Sequence, residues 1–234
     1  MTQQPAFHRH VLVTPGEGWV SAWVEDDYHH MGVTLRHDGQ VIVGVEADMV
    51  RAPWSTCPGA EHQLATTFTG VRLDGAAARG EKQANCTHLH DMTLAAAAHA
   101  GDAAPTRYEI TVTDAVDGVR VAEITRDGAP VLRLVERANL IEDPAEAAGK
   151  NLFQLNDWIA SQDGRDREAA RLLRWGAILA HGRAIPMERQ SDATRMPSNC
   201  FTFQPGRKEK AQRIGAVVDF STAARGPLAE RTPV

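Results

Sequence analysis

The chain is poor in cysteine, has no long apolar run and carries no block of positive charge. Three cysteines, Cys57, Cys86 and Cys200, stand among 234 residues. An odd and sparse set, in a chain without a secretory leader, argues against a disulfide framework. Buried thiols, metal ligands and a nucleophile all stay open. No apolar run reaches the ~18 residues of a membrane helix. Residues Met1 to Thr14 are polar and include His8, Arg9 and His10. They contain no signal-peptide apolar stretch, so the expected location is the cytoplasm. The formal net charge is −5 and the pI about 6.0. Phosphate binding needs clustered Lys and Arg, which excludes nucleic acid as the expected partner. Phosphate loops, nucleophile elbows and dinucleotide fingerprints are also missing.

What is present is enough apolar material for a core, 43% of the residues. Asp38-Gly39, Asp117-Gly118 and Asp127-Gly128 each lie between alternating or β-branched runs, and Asp-Gly supplies the positive φ angles of a tight hairpin. These pairs predict strands over Tyr28–His37 and Gln40–Val50, and a meander over Tyr108–Thr113, Val119–Thr125 and Pro130–Glu136. An earlier strand is expected over Trp19–Val24. Between the two β regions the period becomes helical. One helix is expected to open at Cys57-Pro58 and end at Gly70, with Ala60, Leu64 and Phe68 on one face. A second opens at Asn85 and ends at Gly101, with Leu89, Met92, Ala96 and His99 on one face. Pro144–Ile159, with Asp143 as its cap, and Arg165–Arg183 read as further helices.

Chemistry, if present, falls on cysteines and histidines at the starts of these elements. Cys86 and His88 stand in the first turn of the second helix, where the dipole favours thiolate. A thiolate with a neutral imidazole suits zinc or iron. The alternative is a buried cysteine beside a capping histidine. Cys57 opens the preceding helix, or is a small apolar residue under a loop. In Tyr28-His29-His30-Met31, alternation turns His29 inward with Met31 and Val33, and leaves His30 on the surface. His90 and Asp91 are near enough to Cys86 to act as bases or orienting groups. Arg51 and Trp54 either line a pocket beside Cys57 or are a packed Trp with a solvated Arg. Cys200, in an alternating segment that reads as a short strand, is expected near the core but outside the ligand set.

The segments His29-His30-Met31, Pro53–Pro58, Asn85–Leu89 and Cys200–Pro205 resemble a bacterial family of unknown function. Residues from about Tyr28 to Gly101 also resemble, more distantly, the U-type iron–sulfur scaffold proteins. In that resemblance Cys57 matches the middle cysteine and Cys86 the last. His29 or His30 falls where the first cysteine motif would be, and His88 adds a fourth ligand. Histidine in place of the first cysteine fits one divalent ion better than a cluster.

The expected fold is α+β: an antiparallel sheet packed on helices, with a scaffold-like core over 1–104, a β-meander and helical extension over 105–220, and a flexible tail over 221–234. The expected function is a metal-dependent enzyme of lyase, hydratase or hydrolase type, acting on a small organic molecule. Its single zinc or iron ion is held by His29, Cys57, Cys86 and His88, and Arg51, His90 and Asp91 supply the catalytic groups. A metal, sulfur or cluster carrier and a metal-free ligand-binding protein are the alternatives. The expected partners are the substrate and, at most, a second copy of the chain, with no membrane.

Overall fold

The structure, a computed structural model, describes residues 4–231. It is α+β: an eight-stranded antiparallel sheet with helices packed on it. The strands are β1 (Ala6–Gly16), β2 (Trp19–Asp26), β3 (His30–His37), β4 (Ile42–Arg51), β5 (Thr106–Thr113), β6 (Val119–Arg126), β7 (Ala129–Arg137) and β8 (Leu140–Asp143). Their order is β4-β3-β2-β1-β5-β6-β7-β8. The α-helices are α1 (Ala60–Phe68), α2 (Thr87–His99), α3 (Asn156–Ala160), α4 (Gly164–Ala180) and α5 (Met187–Gln190). Among the described residues no helix is long and apolar enough to cross a membrane.

The chain divides into two compact units. One, described over residues 4–10, 107–186 and 219–227, holds the meander and α4. Its hairpins turn where the sequence predicts. Asp117 and Gly118 have φ of 50° and 79°, and Asp127 and Gly128 have 52° and 80°. Tyr108, Ile110 and Val112 alternate inward on β5, and α4 covers β6 and β7 with Leu173 and Ala177 buried.

The other unit, described over 11–106, 187–218 and 228–231, holds β2, β3, β4, α1 and α2. Met31, Val33 and Leu35 are the buried face of β3, and α2 lies on β2 and β3 while α1 lies on β4. The buried side of α2 includes Leu89, Met92, Ala96 and His99, as its period predicts.

Several expectations on local structure are corrected. The start, for which the sequence suggests no element, forms β1, with Phe7, Val11 and Val13 fully buried. Residues Pro144–Ile159 do not form one helix. Positive φ at Ala138 and Asn139 turns the chain into β8, and the stretch after it is a turn followed by the short α3. Ala145, Glu146, Ala147 and Ala148 have helix propensity, but only Ala147 among them is buried, too little packing to hold a helix. Residues 198–204 form no strand; Phe201–Phe203 is a 3₁₀ turn with all three residues buried. Of the tail, Leu228 is buried and its amide donates to Glu25 Oε2 at 2.7 Å. Residues 232–234 lie outside the described ones.

Candidate functional site

The four sequence-selected donors all belong to the second unit, and the fold brings them together in pairs. His29 lies just before β3 and not within it, so its inward position comes from a turn and not from strand alternation. Asp26 Oδ1 accepts from the amides of Tyr28 and His29, both at 2.8 Å, and the Asp26 amide bonds to the His29 carbonyl at 2.8 Å. This Asx turn points the imidazole inward. His29 Nδ1 then donates to the same Asp26 oxygen at 2.9 Å, and His29 is only 6% exposed. A carboxylate on Nδ1 fixes the tautomer and leaves Nε2 as the lone-pair nitrogen. The ring of His88, from the first turn of α2, stacks on that of His29 with centroids 3.9 Å apart and a 31° tilt.

Cys86 is the N-cap of α2, one residue later than the Asn85 that the sequence predicts, and lies two residues from His88. Cys57 begins a 3₁₀ turn, Cys57–Gly59, that leads into α1, with Thr56 as its cap. Its Sγ is 3.3 Å from Thr202 Oγ1. Cys200 caps the Phe201–Phe203 turn and packs against the cluster of Trp54, Cys57, Ala193 and Phe203. The Phe201 amide donates to the Asn85 carbonyl at 2.9 Å and so ties the Cys200 segment to the Cys86 segment. Three thiols from distant parts of the chain, each at the start of a helical turn, therefore share one neighbourhood.

Burial dominates their electrostatics. It pushes the Cys86 thiol up to about 12, and the nearby Cys57 and Cys200 sulfurs push the same way; the Leu89 and His88 amides oppose them. Burial also raises Cys57, against the Thr202 hydroxyl, the Trp54 backbone and the Arg213 charge. Cys200 is raised by burial and by Cys57. Without a cation the thiols are neutral, contrary to the thiolate expected from the helix dipole alone, because desolvation outweighs a partial charge. Among the described residues, no three His, Cys, Asp or Glu side chains stand in a ready metal-binding arrangement.

The expected catalytic groups have other partners. The Arg51 guanidinium donates to the Asp27 and Asp26 carbonyls, both at 2.7 Å, and reaches Glu25 Oε1 at 3.3 Å and the His29 carbonyl at 3.4 Å. It clamps the turn that aims His29. Asp91 accepts from Lys82 Nζ at 2.6 and 2.7 Å. Burial raises its pKa, but His90 and Lys82 outweigh that and hold it below the ordinary carboxylate range. His90 Nε2 bonds to the Gly80 carbonyl at 2.9 Å, and its ring meets the edge of Phe68. His30 is not on the surface: it is half-buried, with Nδ1 3.6 Å from Glu25 Oε1 and its ring 5.9 Å from Trp23.

Two residues of this neighbourhood are absent from the sequence-selected set. Asp26 carries a readable signal, an Asp three positions before a His. Cys200 carries one too, since Asn199-Cys200 repeats the Asn85-Cys86 pair. The model of a family described as a protein of unknown function (DUF2889) matches residues 16–101. That span contains His29, Cys57, Cys86 and His88 and stops short of Cys200. It agrees with the resemblance to an uncharacterised family and lends no support to the one with U-type scaffolds. No curated protein matches the chain.

Proposed function

We propose that the chain is a metal-dependent enzyme acting on a small organic molecule, with a single zinc or iron ion held by His29, Cys57, Cys86 and His88. The observation that carries this reading is the 2.9 Å bond from His29 Nδ1 to a buried Asp26, beside a stacked His88. A carboxylate that orients an imidazole is the usual support of a metal-ligating histidine. Such an ion would act as a Lewis acid or activate water. This chain's own contribution is to orient the His29 imidazole through Asp26, to fix the turn through Arg51 and to keep solvent from the thiols. Cys57 and Cys86 are 8% and 9% exposed, which favours a resident ion over the exchangeable one that a carrier needs.

A metal-free ligand-binding protein is the second reading. The Cys57–Thr202 contact and the apolar cluster around Trp54 favour it. Elemental analysis of untagged protein from zinc- and iron-supplemented cells separates the two. About one ion per chain is expected, with chelation lowering thermal stability and zinc or iron restoring it. A metal-free wild type whose stability ignores both ions sinks the enzyme reading as stated. A metal-bound protein is then screened for turnover of small esters, hydroxy acids and unsaturated acids, which chelation should abolish.

A further inference from the structure

Residues 212–215 run beside Pro53–Ser55 and meet them at an isolated antiparallel bridge. The Ser55 amide donates to the Gln212 carbonyl at 2.9 Å, the Ile214 amide to the Pro53 carbonyl at 3.1 Å, and Arg213 bridges to Trp54. Gly215 permits the approach, since a Cβ there would lie 2.5 Å from the Ala52 carbonyl oxygen. The pairing fixes Arg213 against the cysteine neighbourhood. Its guanidinium carbon is 5.5 Å from the Trp54 ring centre and 5.9 Å from that of Tyr28, the residue before His29. Arg213 Nε is buried with no hydrogen-bond partner, and the side chain is half-buried. Burial lowers the Arg213 pKa, and no carboxylate is among the groups that act on it. The Arg51 guanidinium of the same unit, by contrast, has four oxygen partners. Ring faces offset only part of the cost of removing a guanidinium from water.

We infer that Arg213 is the anion anchor of this site and that the small molecule bound there carries a single carboxylate. The inference rests on the reading of this neighbourhood as a substrate site. A guanidinium presents a planar fork that matches one carboxylate in bidentate fashion. A phosphate dianion would call for a further cation, and the Arg51 guanidinium is already held by four oxygens. The buried rings of Trp54 and Tyr28 position the guanidinium, which stays half-exposed for a ligand.

The test is isothermal titration of untagged protein, metal-loaded and chelator-treated, with benzoate, its neutral counterpart benzamide and inorganic phosphate. Benzoate should bind the wild type and benzamide should not. Arg213→Gln should weaken benzoate by about tenfold or more, the scale of a charge-assisted hydrogen bond. Arg213→Lys, which keeps the charge and loses the fork, should fall between. Circular dichroism checks that both variants fold, and Lys alone decides if Gln does not, since undiminished binding to it would refute the fork. No benzoate binding, equal binding to Arg213→Gln, or tighter phosphate than benzoate each overturns the inference. Arg213-dependent benzoate binding by a chain that takes up no metal would overturn the metal reading and leave this one standing. Full metal with Arg213-independent benzoate binding would do the reverse.

Discussion

Asp26 does two things at once: its side chain closes a turn through two amides and orients one imidazole. Asp26→Asn keeps an oxygen for the amides and removes the charge that fixes His29. The expected outcome is a folded protein whose metal affinity falls about 10–100-fold, read by competition with a chelator; unchanged affinity would deny His29 its ligand role. Arg51 acts on the same turn from outside. Arg51→Met removes the two 2.7 Å bonds to the Asp26 and Asp27 carbonyls, and should cost about 1–3 kcal/mol, measured as a lower denaturation midpoint; no change would make the clamp incidental. At this scale the sequence was legible in kind and not in cause. His29 points inward as alternation suggests, yet an Asx turn puts it there. Arg51, His90 and Asp91 stand near the donors, but their partners are visible only once residues distant in sequence, such as Arg51 and Asp27, meet.

Strand ends and helix ends are joined by few groups, and Glu136 on β7 is one of them. It accepts from the Asn139 amide at 2.9 Å, from His181 Nε2 at 2.8 Å and from Arg120 at 3.4 Å. Burial raises its pKa, but these partners outweigh it and the net shift is downward from 4.5. A lowered carboxyl stabilises the fold above the unfolded value and loses that contribution as pH falls through the folded one. Unfolding followed by circular dichroism should therefore show stability falling below about pH 5. Glu136→Gln should flatten that fall while lowering stability at neutral pH. An acid limb of equal slope in the variant would contradict this. On α4, Gly176 faces β5: a Cβ there would come 2.8 Å from Ile110 Cγ2. Gly176→Val should cost about 1–3 kcal/mol by overpacking, seen as a lower melting temperature; an unchanged one would mean that Ile110 yields freely. The Asp-Gly hairpins and the face of α2 were readable because turn chemistry and period are local. β8 was not, because the turn before it uses Ala138 and Asn139, and Ala rarely takes a positive φ.

Across the whole molecule, the readable part of the candidate site ends where the chain returns to it. Cys57 and Cys86 are 29 residues apart and lie within the family match, whereas Cys200 and Arg213 come back to the same unit after the meander and α4. Local spacing does not foretell that return; contacts such as the Phe201–Asn85 and Ile214–Pro53 backbone bonds reveal it. The central claim is that thiols and imidazoles of this unit share one ion. X-ray absorption at the metal edge of untagged protein tests it most directly, because it reads the ligand atoms themselves. The expected first shell holds sulfur near ~2.3 Å and nitrogen near ~2.0–2.1 Å for zinc, and the sulfur signal should shrink in Cys86→Ser. A shell of oxygen and nitrogen alone, or a sulfur signal untouched by Cys86→Ser, would contradict it.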